Sequence, residues 1–364
     1  MTRTPTHLLR RAGVALAVLP LAIGLAACGA DAGSADSGAA ASGVADELRL
    51  GYFANVTHAA ALIGVQQGYL ADELGSDTTL TTQVFNAGPD EVEALFAGGL
   101  DAAYIGPSPT INAYGQSDGD AIRIISGAAS GGAQLVVRDG IDSPADLTGT
   151  TLASPQLGNT QDVALRTWLT GQGLENSVDG GGDVTIAPTA NSDILALFQS
   201  GDIDGAWVPE PYASTLVLNE GGHVLVNEKD LWPQGEFVTT HLIVRTEFLQ
   251  QYPGTVDALL RANVQSVEFA TKDPAGAEAA VNAGLKAAGG KELAAPVLDR
   301  AWSELTVTYD PIASALARSA KNGVTAGTTA DAVDLDGIYD LAPLNKVLAD
   351  QGLAPVTSGG LGKE

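Results

Sequence analysis

The sequence predicts an α/β protein built as two lobes of similar design, and three observations carry that prediction. From Glu47 onward, strand-like runs alternate with helical ones, the pattern that gives mostly parallel sheets. A segment of helix, glycine turn, strand and proline-rich exit occurs twice, about a hundred residues apart. Of the 364 residues, 45% are hydrophobic and 44 are glycine, enough for a real core with many tight turns.

Leu48–Phe53 reads as the first strand, 57–70 as a helix and Leu80–Phe85 as the second strand. Asp90–Ala97 follows as an amphipathic helix with Val92, Leu95 and Phe96 on one face. Ala102–Ile105 is a strand, with a helix from Pro109, then strands at Ile122–Ser126 and Gln134–Arg138. Ser143-Pro144 is a helix-start signal. Strands at Thr151–Ser154, Val184–Ala187, Gly205–Val208, Val224–Asn227 and Phe237–Arg245 complete the expected set. Between them lie helices at Thr160–Gly171, Asp193–Gln199 and Tyr212–Asn219. Beyond residue 252 the periodicity is helical, at Val256–Val267, Ala275–Ala288, Leu293–Trp302 and Ile312–Ala320. The repeat pairs Ala94-Leu95-Phe96, Gly99 and Asp101–Pro109 with Ala196-Leu197-Phe198, Gly201 and Asp204–Pro211.

The chain opens with Arg3, Arg10 and Arg11, then an apolar run from Ala12 to Ala27 that is short for a spanning helix of ~20 residues. A basic start, a short apolar run and small residues at its end read as an export signal over residues 1–27. Leu25-Ala26-Ala27-Cys28 resembles the bacterial lipobox, which implies lipid attachment at Cys28 and a lipid-anchored protein on the extracytoplasmic face of the cell membrane. Residues 28–46, rich in Gly, Ala, Ser and Asp, read as a flexible tether. Cys28 is the sole cysteine, so intrachain disulfides, thiolate metal clusters and a cysteine nucleophile in the folded part are excluded. With 18 basic and 43 acidic residues, net −25, the surface repels nucleic acid.

In open α/β sheets, ligands sit off the carboxyl ends of strands, where helix N-termini present unpaired N–H groups suited to anions. Four exits qualify. The first carries Asn55 and His58, and the second Ser108. The third carries Gly158, Asn159, Thr160 and Gln161, and the fourth Trp207 and Glu210. Each has a plainer role open to it. Asn159, Thr160 and Ser108 are suited to capping helices, His58 to a helix surface and Trp207 to lobe packing. Glu210 repels an anion unless it faces away or meets a cationic ligand group.

Gly51-Tyr52 with Asn55 and His58, Val92–Asn112, Gly158–Asp162, Trp207–Pro211 and Thr239–Val244, including Thr240, together resemble the substrate-binding proteins of sulfonate, nitrate and taurine ABC importers. The resemblance spans roughly residues 47–320. It implies a type II periplasmic-binding fold, two α/β lobes joined by two crossing segments near Gln134–Arg138 and Phe237–Arg245. The first lobe is expected at 47–136 and 240–364, its C-terminal helices packing back on it, and the second at 137–239. The implied function is capture of a small organic anion, an aliphatic sulfonate first, by hinge closure of a monomer that needs no cofactor and serves a permease and an ATPase. Taurine, nitrate or bicarbonate, and a thiamine-pyrimidine precursor are the alternative solutes. Enzymes on this fold, a desulfinase and a thiamine-pyrimidine synthase, depend on cysteines this chain lacks after Cys28. Gly-x-Ser-x-Gly, His-Glu-x-x-His, Walker A and Gly-x-Gly-x-x-Gly patterns are all missing, so a binding protein and not an enzyme is expected.

Overall fold

A computed structural model describes residues 43–364. The expected signal segment 1–27, Cys28 and tether residues 28–42 lie outside the described residues. The last four expected tether residues are packed in place. The Ala45 N–H donates to Thr255 Oγ1 at 2.8 Å, and the carbonyl of Gly43 accepts from Gly254 and Thr255.

The first sheet begins with β1 (Glu47–Phe53), and helices α1 (Ala59–Gln66) and α2 (Tyr69–Leu74) lead to β2 (Thr79–Phe85). Next come α3 (Gly88–Phe96), β3 (Ala102–Ile105), α4 (Pro107–Gln116) and β4 (Ile122–Gly131). One residue, Gly132, separates β4 from β5 (Ala133–Val137), which already belongs to the second sheet. That sheet continues through β6 (Thr151–Ser154), α5 (Thr160–Gly171), β7 (Thr185–Pro188), α6 (Asn191–Ser200), β8 (Gly205–Pro209), α7 (Tyr212–Asn219) and β9 (His223–Asn227). The chain then returns to the first sheet with β10 (Val238–Arg245). The remaining elements are α8 (Thr246–Gln251), α9 (Pro253–Lys272), α10 (Pro274–Ala287), α11 (Ala295–Ser303), β11 (Leu305–Val307), α12 (Ala313–Thr325), β12 (Tyr339–Asp340), α13 (Ala342–Asp350) and β13 (Gly362–Lys363).

The strand orders expose the repeat. The first sheet contains the path β2-β1-β3-β10-β4, and the second is β7-β6-β8-β5-β9. In each, the first three strands pair in parallel and the last two run antiparallel to their neighbours. Parallel pairing is therefore less general than the helix–strand alternation predicts. The reason is the crossing: Ala133 at the start of β5 pairs with Pro209 at the end of β8, so the arriving strand must run the opposite way. The crossings occupy Gly131–Gly132 and the stretch from Asn227 to Val238, and the expected boundaries at 136/137 and 239/240 fall inside β5 and β10.

An aspartate heads the third strand of each half. Asp101 donates its N–H to the Arg49 carbonyl, accepts the Arg49 N–H on its carboxylate at 2.9 Å, and accepts the Arg245 N–H on its carbonyl at 2.9 Å. Asp204 makes the same three bonds with Thr151 (carboxylate at 2.8 Å) and Arg138. Only Asp101 adds ion pairs, to Arg49 at 2.6 Å and Arg245 at 2.9 Å.

Apolar faces close the layers. Val92 and Leu95 of α3 are buried, but Phe96 is 45% exposed, because the helix ends there and turns its last residue outward. The long helix α9 buries Val256, Leu259, Leu260, Val264 and Val267 as its periodicity requires. It packs with α10 on α1 and α2, behind the first sheet. α11 and α12 pack on both lobes, α11 between α10 and α7 and α12 between α4 and α5, so the C-terminal helices do not all return to the first lobe alone.

Asp101→Ala should destabilise the protein by ~3 kcal/mol, the size expected when a buried ion pair loses one partner. Asp204→Ala should cost ~1 kcal/mol, since it removes one backbone-to-carboxylate bond. Urea denaturation of both variants measures the difference.

Candidate functional site

The two sheets present their strand ends to one another, and a small cavity lies between them. From the first lobe it is walled by Phe53 at the end of β1, by Asn55, Thr57 and His58 in the turn after it, by Gly106 at the end of β3, and by Thr239 of β10. From the second lobe come Asn159, Thr160 and Gln161 at the start of α5, Asn191 at the start of α6, and Pro209 ending β8. Helices α4, α5 and α6 all begin here, their first-turn N–H groups unpaired within the helix.

The lining carries no Lys, Arg, Asp or Glu. His58 accepts the Phe53 N–H on Nδ1 at 3.1 Å and stacks on the Phe53 ring at 4.3 Å. A neutral imidazole so held carries its proton on Nε2. Burial pushes the His58 pKa down to about 3, so the ring is an uncharged donor at neutral pH. The Thr160 hydroxyl and Asn191 Oδ1 are buried without a protein partner. The first turn of α5 is braced by Asp162, whose carboxylate accepts from Ser154 Oγ at 2.6 Å, the Gly158 N–H at 3.0 Å and Arg166 Nε at 3.0 Å. Asp162 and Arg166 are both fully buried, so the carboxylate's charge is answered inside the lobe.

The cavity measures about 10 Å³, room for about one water. The lobes are thus shut on each other. The Val56 N–H donates to the Glu210 carbonyl at 3.1 Å, and Gln156 Nε2 to Asp90 Oδ1 at 2.9 Å. A side chain on Gly106 would overlap the Thr160 hydroxyl. A larger groove of about 710 Å³ lies elsewhere, beside Tyr114 and residues 328–336, but it is lined by Asp118, Asp331, Asp334 and Asp336, which repel an anion. Among the described residues, no group of three or more His, Cys, Asp or Glu is arranged to hold a metal ion. No described helix is long and apolar enough to cross a membrane.

Of the residues picked out from sequence, Asn55, His58, Asn159, Thr160 and Gln161 come together in this cavity. Five do not line it. Ser108 is the second residue of α4, because the helix begins at Pro107 and not at Pro109. Gly158 makes the turn before α5 at φ +79, where a side chain is strained. Trp207 is buried in the second lobe's core, donating to Glu228 Oε2 at 2.8 Å, because its strand position points away from the exit. Glu210 is fully buried and paired with Arg300 at 3.1 Å, turned from the cavity. Thr240 donates to the Thr57 carbonyl at 2.9 Å, and its neighbour Thr239 lines the cavity, the alternation of a strand. Thr57, within the first strand exit, and Asn191, opening α6, complete the polar lining, and no turn motif marks Asn191 in the sequence.

Two α/β lobes with this strand order, two crossings and a donor-lined cleft between facing helix N-termini define a solute-binding-protein fold. A model of the NMT1-like family matches residues 43–284, and the chain belongs to that family. It is similar to a candidate binding protein of Brucella abortus, 28% identical over 228 residues, covering 58% of this chain and 68% of that one. It is also similar to the taurine-binding periplasmic protein of Escherichia coli, 27% identical over 194 residues, covering 52% and 57% of the two chains. In fold it matches the alkanesulfonate-binding protein SsuA from Xanthomonas axonopodis pv. citri bound to MOPS. The TM-score is 0.66 at 20% identity, covering 80% of this chain and 96% of that one.

Gly106→Ala should weaken ligand binding at least tenfold while leaving the melting temperature nearly unchanged. The added methyl meets Thr160 across the cleft, and the backbone of Gly106, in extended conformation, accepts alanine without strain. Isothermal titration beside a thermal melt separates the two effects.

Proposed function

We propose that this protein is the extracytoplasmic receptor of an ABC importer and captures a small, singly charged organic anion, most simply an aliphatic sulfonate, by closing its two lobes. The observation that carries the reading is the cavity's chemistry. Three helix N-termini, the unpartnered Thr160 hydroxyl and the neutral His58 donor face one space with no charged side chain in its wall, and the lobes must part from this shut state to admit a sulfonate there. Dipoles and neutral donors suffice to hold a monoanion. They serve a dianion poorly, and no carboxylate stands in the wall to pair with an ammonium group. Names of relatives support the class, since taurine and alkanesulfonates are sulfonates. Capture rather than catalysis is supported by the absence of a nucleophile–base pair in the wall and by the binding-protein names of its relatives. The candidate ligand-binding residues are Asn55, His58, Asn159, Thr160 and Gln161, joined by Thr57, Asn191 and Thr239. The expected partners are a permease and an ATPase, with the receptor monomeric and held at the membrane through lipid on Cys28.

Methanesulfonate should raise the melting temperature and sulfate should not. Affinity for methanesulfonate should be flat between pH 7 and 8.5. His58 is already neutral there in the closed cleft, and an ordinary exposed histidine, near 6.5, is mostly neutral too. Closure over a buried neutral ring is favoured above the open-state pKa and opposed as pH falls below it, so binding should weaken only under acid conditions. A tenfold loss between pH 7 and 8.5 would instead mean that a cationic group holds the ligand.

Cys28→Ala expressed in a bacterial host should move from the membrane to the soluble fraction. Retention in the membrane pellet would refute the lipid anchor.

A further inference from the structure

Glu210, turned away from the cavity, is held from behind by one arginine. Arg300 on α11 donates from Nη1 to Glu210 Oε1 at 3.1 Å and to Ser214 Oγ at 2.7 Å, and from Nη2 to Gln134 Oε1 at 2.7 Å. All three acceptors belong to the second lobe: Gln134 on β5, Glu210 after β8 and Ser214 on α7. The arginine is carried by α11, which runs straight into β11 of the first sheet. The pair therefore bridges the lobes.

The main chain of Glu210 is itself an interlobe contact. Its carbonyl accepts the Val56 N–H, and its N–H donates to the Gly132 carbonyl at 2.8 Å. Val56 opens the turn that delivers Thr57 and His58 to the cleft. Just past Arg300, Glu304 reaches both crossings. Its carbonyl accepts the Gly132 N–H at 2.8 Å, and its carboxylate accepts from Asn227 at 2.9 Å and Lys229 at 3.1 Å.

We propose that Arg300 is a positioning residue that latches the cleft: seated between α7 and β5, it compensates the buried Glu210 carboxylate and thereby sets the Glu210 carbonyl on the Val56 amide. A carboxylate taken out of water needs such compensation, or it takes up a proton or moves back into solvent. Without Arg300, the only other charged group facing Glu210 is Glu304, which repels it. The Ser214 N–H would still donate to Glu210 Oε2 at 3.0 Å, but with no cation beside it the buried carboxyl would hold its place best when protonated. The latch acts on lobe closure whatever the ligand, so it goes beyond the functional reading above.

Hydrogen exchange of the Val56–His58 amides in the ligand-free full chain tests this, read as protection factors at pH 5 and pH 8. Wild type should be protected at both, less so at pH 5, where opening lets His58 take up a proton, so each variant is read against wild type at the same pH. Arg300→Met should lose at least tenfold in protection at pH 8 relative to wild type and recover much of it at pH 5, because burial already pushes the Glu210 carboxyl up and losing Arg300 pushes it further. Arg300→Met combined with Glu210→Gln should be protected at both, because the neutral amide needs no counter-charge. A merely structural pair predicts equal losses at both pH values and no rescue, and that result overturns the latch, as does an unprotected Val56 amide in the wild type. Because no ligand is added, failure of methanesulfonate binding leaves this test intact.

Discussion

The architecture depends on an aspartate placed at the head of the third strand of each half. Its carboxylate and N–H clasp the same residue of the first strand, and its carbonyl takes the N–H of the strand arriving from the other lobe. Three strands are thereby tied together along one edge, two near their starting ends and the antiparallel one at its finishing end. Register, once set there, fixes where the strands end, and the ends carry the turns that start α4, α5 and the segment after β8. The precision of the cleft is thus established at the far side of each sheet, away from the ligand surface.

From that constraint the cleft follows. Each sheet delivers helix N-termini to its strand exits, and the two crossings turn the sheets so that the exits face each other. Closed contact then relies on small residues: Gly106 lies against Thr160, and Gly88 lies against Pro109 with Asn159 nearby. Polar groups meeting across a seam with room for about one water cannot all find partners. The Thr160 hydroxyl and Asn191 Oδ1 are the ones left over, the signature of groups awaiting something that is not protein.

Most of this was legible in sequence because it rests on local signals. The ends of α5 and α7, and β3 and β6 whole, follow from capping, proline and apolar-run patterns at those very residues. The repeat was legible too, through Asp101 and Asp204, though its reason was not: the aspartates look like turn residues until their bonds to Arg49, Arg245, Thr151 and Arg138 are seen. What sequence could not yield is direction. Trp207 and Val208 alternate across β8 into the cores on its two sides, and Pro209 is the residue of that strand that reaches the cavity. Thr239 and Thr240 differ in the same way. β11, β12 and β13, at three, two and two residues, are too short to show any period. Glu91 is a further case. Gly51 leaves space for its carboxyl beneath β1, and burial holds it protonated, well above the usual carboxylate range, a pairing that no spacing rule connects.

A net charge of −25 opposes the approach of anions, yet surface charge and cleft chemistry act at different ranges. Surface carboxylates are felt over about a Debye length, ~8 Å at physiological salt, and slow the approach of an anion there. Behind the shut cleft two buried carboxylates are paired in place: Asp162 with Arg166, Glu210 with Arg300 and the Ser214 N–H. What remains is the field of the helix N-termini, which grows as water leaves. For an anion, attraction would therefore arise at closure rather than at encounter. A receptor of this kind would control its ligand through how firmly the lobes shut, which is why the groups behind the cleft matter as much as those lining it.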